Sequence, residues 1–369
     1  MHLRYKINQN LHDIYYLNNS LNQISKDLEK LKSDKKILFI YDKEISKNLK
    51  NKIYSTLKFS GCKLFQLEFR GSKKNKELNS ALKIIDFMIS QGFTKKSVIL
   101  SMGGGVIGDL SAFAASLYMR GMIYFHIPST MTSIVDSCIG GKTGVNYQKI
   151  INSIGTYYHA DKVYILEDLI KSLPDREFYS GIPEILKCGI IKNKSLLNFL
   201  VNHHSEIKKR KTNFIRKLCF ESLKTKINFF KDDVYENDKR LILNFGHTFA
   251  HAIEMSLEKN INKKLEILRH GEAVGIGMIC EIKYASELKE NEVYRLTKKV
   301  LEIYDLPTNL KYLNLDKKSL QNDIFKFLFL DKKRVSRHPR YIQLKKFGKP
   351  KINEMRDYEK INFIINDIL

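Results

Sequence analysis

The feature that narrows the fold most is the run Ser97-Val98-Ile99-Leu100-Ser101-Met102-Gly103-Gly104-Gly105-Val106-Ile107-Gly108-Asp109, an apolar stretch of strand length that ends in glycines and passes into a helical pattern. Gly103, Gly105 and Gly108 hold the G-x-G-x-x-G spacing. A backbone without β-carbons can approach a pyrophosphate there, and the positive end of the helix meets its charge. A strand feeding a helix through such a turn belongs to a βαβ unit, and the flanking sequence keeps the same rhythm. Apolar runs at 37–41, 64–69, 97–100, 123–127 and 163–166 alternate with helical patterns near 45–60, 74–91 and 107–120. The first half therefore reads as an α/β, Rossmann-like domain with a mainly parallel sheet.

After Pro174 the strand-like runs nearly vanish, and apolar residues recur every three or four positions to about residue 330, so the second half reads as mostly α-helical. Proline breaks what precedes it and suits a helix start, which makes Leu173-Pro174-Asp175 the boundary between domains at 1–173 and 174–369. Two domains also suit 369 residues, and 43% hydrophobic content excludes a disordered chain. No run approaches the ~20 apolar residues that span a bilayer. Asp13, Lys26, Asp27 and Glu29 deny the first thirty residues a signal-peptide core, so the chain is expected in the cytoplasm without a membrane partner. Cys62, Cys138, Cys188, Cys219 and Cys280 are odd in number and scattered, as reduced buried thiols are.

The formal charge of +24 is the abnormal quantity. A focused basic patch with interleaved aromatics would indicate nucleic acid. Here lysines run the whole length among Asn and Ile, and Lys208-Lys209-Arg210-Lys211 lies between helical patterns as a solvated surface, so no nucleic-acid partner is expected.

Three further patterns bear on chemistry. Asp42 closes the first apolar run, where it suits either a cofactor ribose or a helix N-cap. Gly140-Gly141-Lys142-Thr143 imitates the end of a P-loop, but the required earlier glycine is Asp136, and Lys142 is left as a cation in a flexible loop. In the helical half, His247 and His251 stand four apart on one helix face and His270 opens another helix, a set that suits a metal; the zincin glutamate is missing.

Taken together, Gly103 to Asp109, Val135-Asp136-Ser137-Cys138-Ile139-Gly140-Gly141-Lys142-Thr143-Gly144-Val145-Asn146, Pro183-Glu184-Ile185-Leu186-Lys187-Cys188-Gly189, Asn244 to His251 and His270-Gly271-Glu272 follow the order and spacing of one family. Over roughly residues 35–345 the chain resembles the 3-dehydroquinate synthases. The resemblance implies that Glu184, His247 and His270 bind Zn²⁺, with Co²⁺ as an alternative. It implies NAD held by Gly103, Gly104, Gly105, Gly108 and Asp109, with Asp42, Thr130, Lys142 and Ser172 around the rest of the cofactor. Asp136, Lys142, Asn152, Lys187, Lys226, Glu236, Arg240, Asn244 and His251, together with Lys76 and Lys332, match positions around the sugar-phosphate substrate. Arg120 matches an arginine that reaches the phosphate from a partner subunit, which implies a homodimer. The implied reaction converts 3-deoxy-arabino-heptulosonate 7-phosphate to 3-dehydroquinate by transient oxidation, phosphate β-elimination, reduction and aldol closure, in the shikimate pathway.

Two positions depart from the family pattern. Lys73 stands where a glutamate usually helps to hold the NAD ribose, and Ile151 stands where a cofactor-contacting lysine is usual, so altered NAD binding is expected. Relatives that cyclise sedoheptulose 7-phosphate or glucose 6-phosphate are the nearest alternative, against which Lys226, Asn244 and His251 weigh. A decayed basic binding protein is the alternative from another class.

Overall fold

The computed structural model describes residues 1–18, 20–31, 36–59, 61–148, 150–260, 267–330 and 337–369. The chain divides into two compact units, Met1–Pro174 and Asp175–Leu369. No helix among the described residues is long and apolar enough to cross a membrane.

The first unit is built on strands β1 (His2–Ile7), β2 (Asn10–Leu17), β3 (Lys36–Asp42), β4 (Lys63–Phe69), β5 (Val98–Gly103), β6 (Ile123–Pro128), β7 (Lys142–Tyr147), β8 (Ile150–Tyr157) and β9 (Lys162–Leu166). Seven of these form one sheet in the order β1-β2-β9-β6-β5-β3-β4, parallel except for the β1–β2 pair. β5 is buried along its whole length, as a strand covered on both faces must be, which explains its unbroken apolar run. On one side of the sheet Phe39, Leu100, Met102, Phe125 and Tyr164 pack with Ile24, Ile53 and Leu57 of the helices Asn22–Glu29 and Lys47–Phe59 into a common core. From β3 the chain steps outward to β4 and returns to β5 on the other flank of β3, so the order reverses between β3 and β5. In an open parallel sheet that reversal opens a crevice at the carboxyl ends of the strands. Asp42 and Gly103 end the two strands that border it.

Two pieces of this unit escape apolar periodicity. β1 and β2 carry an ionic network around one buried carboxylate: Asp13 is 6% exposed, and its Oδ1 accepts Arg4 Nε at 2.6 Å and the His2 imidazole at 2.7 Å. β7 and β8 form a separate antiparallel ribbon with an irregularity between Val145 and Tyr147. Gly155 permits their close approach, since a β-carbon there would stand 2.0 Å from the Thr143 carbonyl oxygen.

The second unit is mostly helical. Its principal helices are Ile182–Ile191, Thr212–Phe230, His247–Asn260, His270–Ala285, Glu292–Ile303, Lys317–Leu328 and Tyr358–Ile368, and it also holds the two-stranded sheet β10 (Arg340–Gln343) and β11 (Lys351–Glu354). The helix His270–Ala285 is buried on nearly every side and forms the centre of the unit. Where it crosses the helix His247–Asn260, a β-carbon on Gly277 would stand 2.0 Å from the Gly246 carbonyl, and Gly246 itself turns at φ +83°. Glycine at both positions lets the start of the helix His247–Asn260 press against the middle of the helix His270–Ala285.

Candidate active site

In the first unit, Gly104 is the extended residue (φ −72°, ψ −171°) that admits the chain from β5 into the helix Gly105–Leu117. The opening N–H groups of such a helix have no acceptor within it and are available to an anion. Each glycine has a steric reason. A β-carbon on Gly103 would collide with Ile107 at 2.5 Å, one on Gly104 would press Thr130 at 3.1 Å, and one on Gly108 would press the His126 ring at 3.1 Å. Thr130 thus stands against the turn, fixed by reciprocal hydrogen bonds with Ser133. Beneath the turn, Ser101 Oγ joins His126 Nδ1 at 2.7 Å and Tyr124 Oη at 2.9 Å, and the Tyr124 hydroxyl donates to the Gly108 carbonyl at 3.2 Å. Burial pushes the His126 imidazole down to about 3, so it is neutral, and burial pushes the Tyr124 phenol up.

Asp42 is not a helix N-cap, because the following helix starts at Lys47; its Oδ1 instead accepts the N–H groups of Glu44 and Gly71, both at 3.2 Å. Lys76, Asp109 and Asn152 converge: Lys76 Nζ lies 2.5 Å from Asp109 Oδ2 and donates to Asn152 Oδ1 at 2.6 Å. This joins a residue of the glycine-turn helix to one on β8. Asn152 adopts φ 49°, a left-handed conformation that asparagine tolerates. Lys142 is exposed at the start of β7 after Gly140 and Gly141, both at positive φ, and Asp136 lies in the helical turn Ser133–Ser137. Ser172 caps the short helix Glu167–Lys171 with its hydroxyl on the Leu169 carbonyl. Arg120 is exposed in a left-handed turn at φ 59° that ends the glycine-turn helix three residues beyond Leu117.

In the second unit, Glu184 on the helix Ile182–Ile191, His247 and His270 offer three ligand atoms within 4.8 Å of one another. Glu184 Oε1 is buried without a hydrogen bond among the described residues and lies 3.6 Å from His247 Nε2 and 3.7 Å from His270 Nε2. Ligands about 2.0 Å from a tetrahedral ion stand roughly 3.3 Å apart, so this triangle needs only a slight contraction to hold one. The outer contacts fit as well. His247 Nδ1 faces the Phe245 carbonyl at 3.2 Å and His270 Nδ1 faces Glu254 Oε2 at 3.4 Å. Acceptors on Nδ1 place the proton there and leave both Nε2 lone pairs for a cation. His251 is outside the triad, with its ring 5.5 Å from that of His247 and 6.3 Å from that of His270.

The predicted cations of this unit are buried. Lys187 is 2% exposed and ion-paired with Glu184 Oε2, Lys226 is 7% exposed in the helix Thr212–Phe230, and Arg240 is 2% exposed over the Phe230 ring and donates to the Val234 carbonyl. The Asn244 amide donates to Glu236 Oε1 at 2.6 Å and to the Leu241 carbonyl at 3.1 Å, which fixes its orientation. Asn244, His247 and His251 line a cavity with Thr248, Arg340 and Tyr341. Arg340 was not singled out in the sequence; the four-residue strand that carries it is too short for its alternation to stand out among neighbouring lysines. Glu281 was missed too, because a lone glutamate on a helix reads as solvated, yet it is fully buried. Burial pushes its carboxyl up to about 8, against backbone N–H groups of Gly246, Ile342 and Thr248 that pull it down. Lys332 lies outside the described residues.

Residues 66–180 match the family model for the 3-dehydroquinate synthase N-terminal domain, and residues 181–334 match that for the C-terminal domain. The 3-dehydroquinate synthase of Prochlorococcus marinus (strain AS9601) is 37% identical over 334 residues, 89% of each chain. That of Thermodesulfovibrio yellowstonii is 33% identical over 367 residues, 99% of each chain. The chain belongs to the 3-dehydroquinate synthase family. The fold is shared more widely. The 2-epi-5-epi-valiolone synthase of Streptomyces hygroscopicus subsp. jinggangensis, solved with NAD⁺ and Zn²⁺ bound, superposes with a TM-score of 0.84 at 20% identity, covering 99% of this chain and 98% of its own. A 2-deoxy-scyllo-inosose synthase complexed with carbaglucose-6-phosphate, NAD⁺ and Co²⁺ gives 0.82 at 22% identity over the whole of both chains.

Lys73 and Ile151, the two positions expected to depart from the family pattern, lie in the backbone around the side chain of Asn146. Asn146 on β7 directs its Nδ2 to the Lys73 carbonyl at 3.5 Å, and its Oδ1 accepts the N–H of Asn152, the residue after Ile151, at 3.0 Å. Lys73 is exposed in a short 3₁₀ turn, and Ile151 is an exposed apolar residue at 40%.

Proposed function

We propose that this chain is a 3-dehydroquinate synthase in the full sense. It eliminates phosphate from 3-deoxy-arabino-heptulosonate 7-phosphate and closes the product to 3-dehydroquinate in the shikimate route to aromatic amino acids. The observation that carries the reading is the Glu184, His247 and His270 triangle, a buried carboxylate oxygen and two imidazoles oriented by outer acceptors, in a chain whose relatives of that name match across most of its length. The donor set of two nitrogens and one oxygen suits Zn²⁺ and accepts Co²⁺. When bound, the metal supplies Lewis-acid polarisation of a substrate hydroxyl and NAD supplies a reversible hydride acceptor.

The protein's own residues bind and orient. The glycine turn at Gly103, Gly104, Gly105 and Gly108 presents first-turn N–H groups to the cofactor pyrophosphate, with Thr130 against it and Asp42, Lys142 and Ser172 assigned to the rest of the cofactor. Lys76 holds Asp109 and Asn152 in one arrangement. Lys187, Lys226 and Arg240 are cations already stripped of most water, so a carboxylate or phosphate that reaches them meets charge without solvent screening. Asn244, oriented by Glu236, directs its Oδ1 for hydroxyl recognition, and His251 carries a proton site beside the metal ligands. Asp136, and Lys332 on the undescribed segment, complete the assignment. Arg120 is assigned to the substrate phosphate of a partner subunit in a cytoplasmic homodimer, for which its exposure supports the reading.

The test is one assay with the heptulosonate phosphate, NAD⁺ and Zn²⁺ that reads both phosphate release and 3-dehydroquinate. Equimolar products are expected, with no net NADH. Phosphate release from sedoheptulose 7-phosphate or glucose 6-phosphate, and none from the heptulosonate, would refute the assignment. His270→Ala should lose bound zinc and reduce turnover at least about 100-fold, the order of effect expected when a metal ligand is removed.

A further inference from the structure

Glu281 takes no part in the chemistry above, yet it is fully buried in the helix His270–Ala285, three turns from His270. A carboxyl at 0% exposure costs free energy unless its surroundings hydrogen-bond it or offset its charge. Its Oε2 accepts the Ile342 N–H of β10 at 3.1 Å. Its Oε1 is buried without a hydrogen-bond partner among the described residues, and the backbone N–H groups of Gly246 and Thr248, on either side of the ligand His247, favour the ionised form of the carboxyl. These belong to the opening of the helix His247–Asn260, where N–H groups lack an intrahelical acceptor. The Thr248 hydroxyl then reaches back to the Arg340 carbonyl at 2.8 Å, closing a circuit from the metal-ligand helix to β10. Gly246 is in turn pinned against Val274 and Met278 of the helix that carries Glu281.

We infer that Glu281 is a positioning residue: its Oε2 anchors β10 while its charge faces the helix start that aims His247, so that the metal ligand and the cavity wall at Arg340 and Tyr341 are set as one piece. This deepens the metal-site reading above and rests on it. The role differs from that of Glu254, which acts directly on a ligand imidazole; Glu281 acts on the backbone around one.

The experiment is titration of the metal-free full chain with Co²⁺ alone, following the visible absorption bands that report ligand geometry, for the wild type, Glu281→Leu and Glu281→Gln. The leucine variant removes the carboxylate and its hold on β10, and cobalt affinity should fall about 10-fold or more with altered band positions, as when outer-shell support of a ligand is lost. The glutamine variant keeps one acceptor oxygen and turns an amide donor toward backbone donors, so its affinity should lie between the two. A folded leucine variant with wild-type affinity and spectrum overturns the inference. If only the glutamine variant folds, affinity and spectrum matching the wild type overturn it equally. Failure of the wild type to bind cobalt would instead refute the metal site itself.

Discussion

At the residue scale the structure assigns physical reasons to side chains that a pattern only marks. His126 is an example. It lies under the glycine turn with its ring 3.1 Å from where a β-carbon of Gly108 would stand, and Ser101 Oγ lies 2.7 Å from its Nδ1. Burial holds the imidazole neutral, down to about 3 against an ordinary 6.5. The sign of the linkage follows. Below pH 6.5 the unfolded chain takes up a proton that the folded chain refuses, so the stability from neutral His126 is complete above 6.5 and declines as pH falls toward 3, by about 1.4 kcal/mol per unit. His126→Gln removes that titration and keeps hydrogen-bonding capacity toward Ser101. Urea unfolding of the full chain at pH 7 and pH 5 should show the wild type losing about 2 kcal/mol more than the variant. Equal losses would mean that His126 takes up a proton in the folded state.

At the scale of elements, the parallel core was legible because β3 to β6 and β9 are apolar runs punctuated by glycine or by helical periodicity. The ribbon β7–β8 was not, because it exposes Tyr147, Ile150, Ile151 and Tyr157 among polar residues with no clean alternation, and its register is set by Thr143, Gly144 and Gly155 through backbone proximity. β1 and β2 were hidden by the charges of Asp13, Arg4 and Lys162, of which only Asp13 is buried. Of the site, the imidazoles were readable from their spacing, whereas Glu184 came only through resemblance, and Arg340 and Glu281 through neither. The ribbon matters because it brings the Lys73 carbonyl and the N–H of Asn152, the neighbour of position 151, to the two ends of the Asn146 amide. Substitution at one should therefore be felt at the other. A titration of NAD⁺ binding to Lys73→Glu, Ile151→Lys and the double variant should show tighter binding in the double, with a coupling of about 0.5–1 kcal/mol from the opposite charges flanking Asn146. Unchanged affinity in all three would show that neither departure touches the cofactor, and strict additivity would show that Asn146 does not link them.

At the scale of the whole molecule, the charge of +24 separates into two populations by burial. Lys187, Lys226 and Arg240 are among the most enclosed cations, at 2%, 7% and 2% exposure, while Lys73, Lys74, Lys142 and the Lys208–Lys211 run are mostly at the surface. Enclosed cations act on a bound ligand through a low dielectric and are little affected by salt; surface cations act at a distance and are screened beyond about 10 Å at 0.1 M ionic strength. The excess should thus accelerate encounter with a substrate bearing both a carboxylate and a phosphate, without changing the chemical step. Raising NaCl from 20 to 300 mM should lower kcat/KM for the heptulosonate phosphate several-fold, roughly as screening of such fields requires, with kcat nearly constant. A matching fall in kcat would show that screening reaches the chemical step and would refute the encounter account. Salt-sensitive binding of duplex DNA at physiological ionic strength, without zinc-dependent turnover, would return the charge to a polyanionic partner.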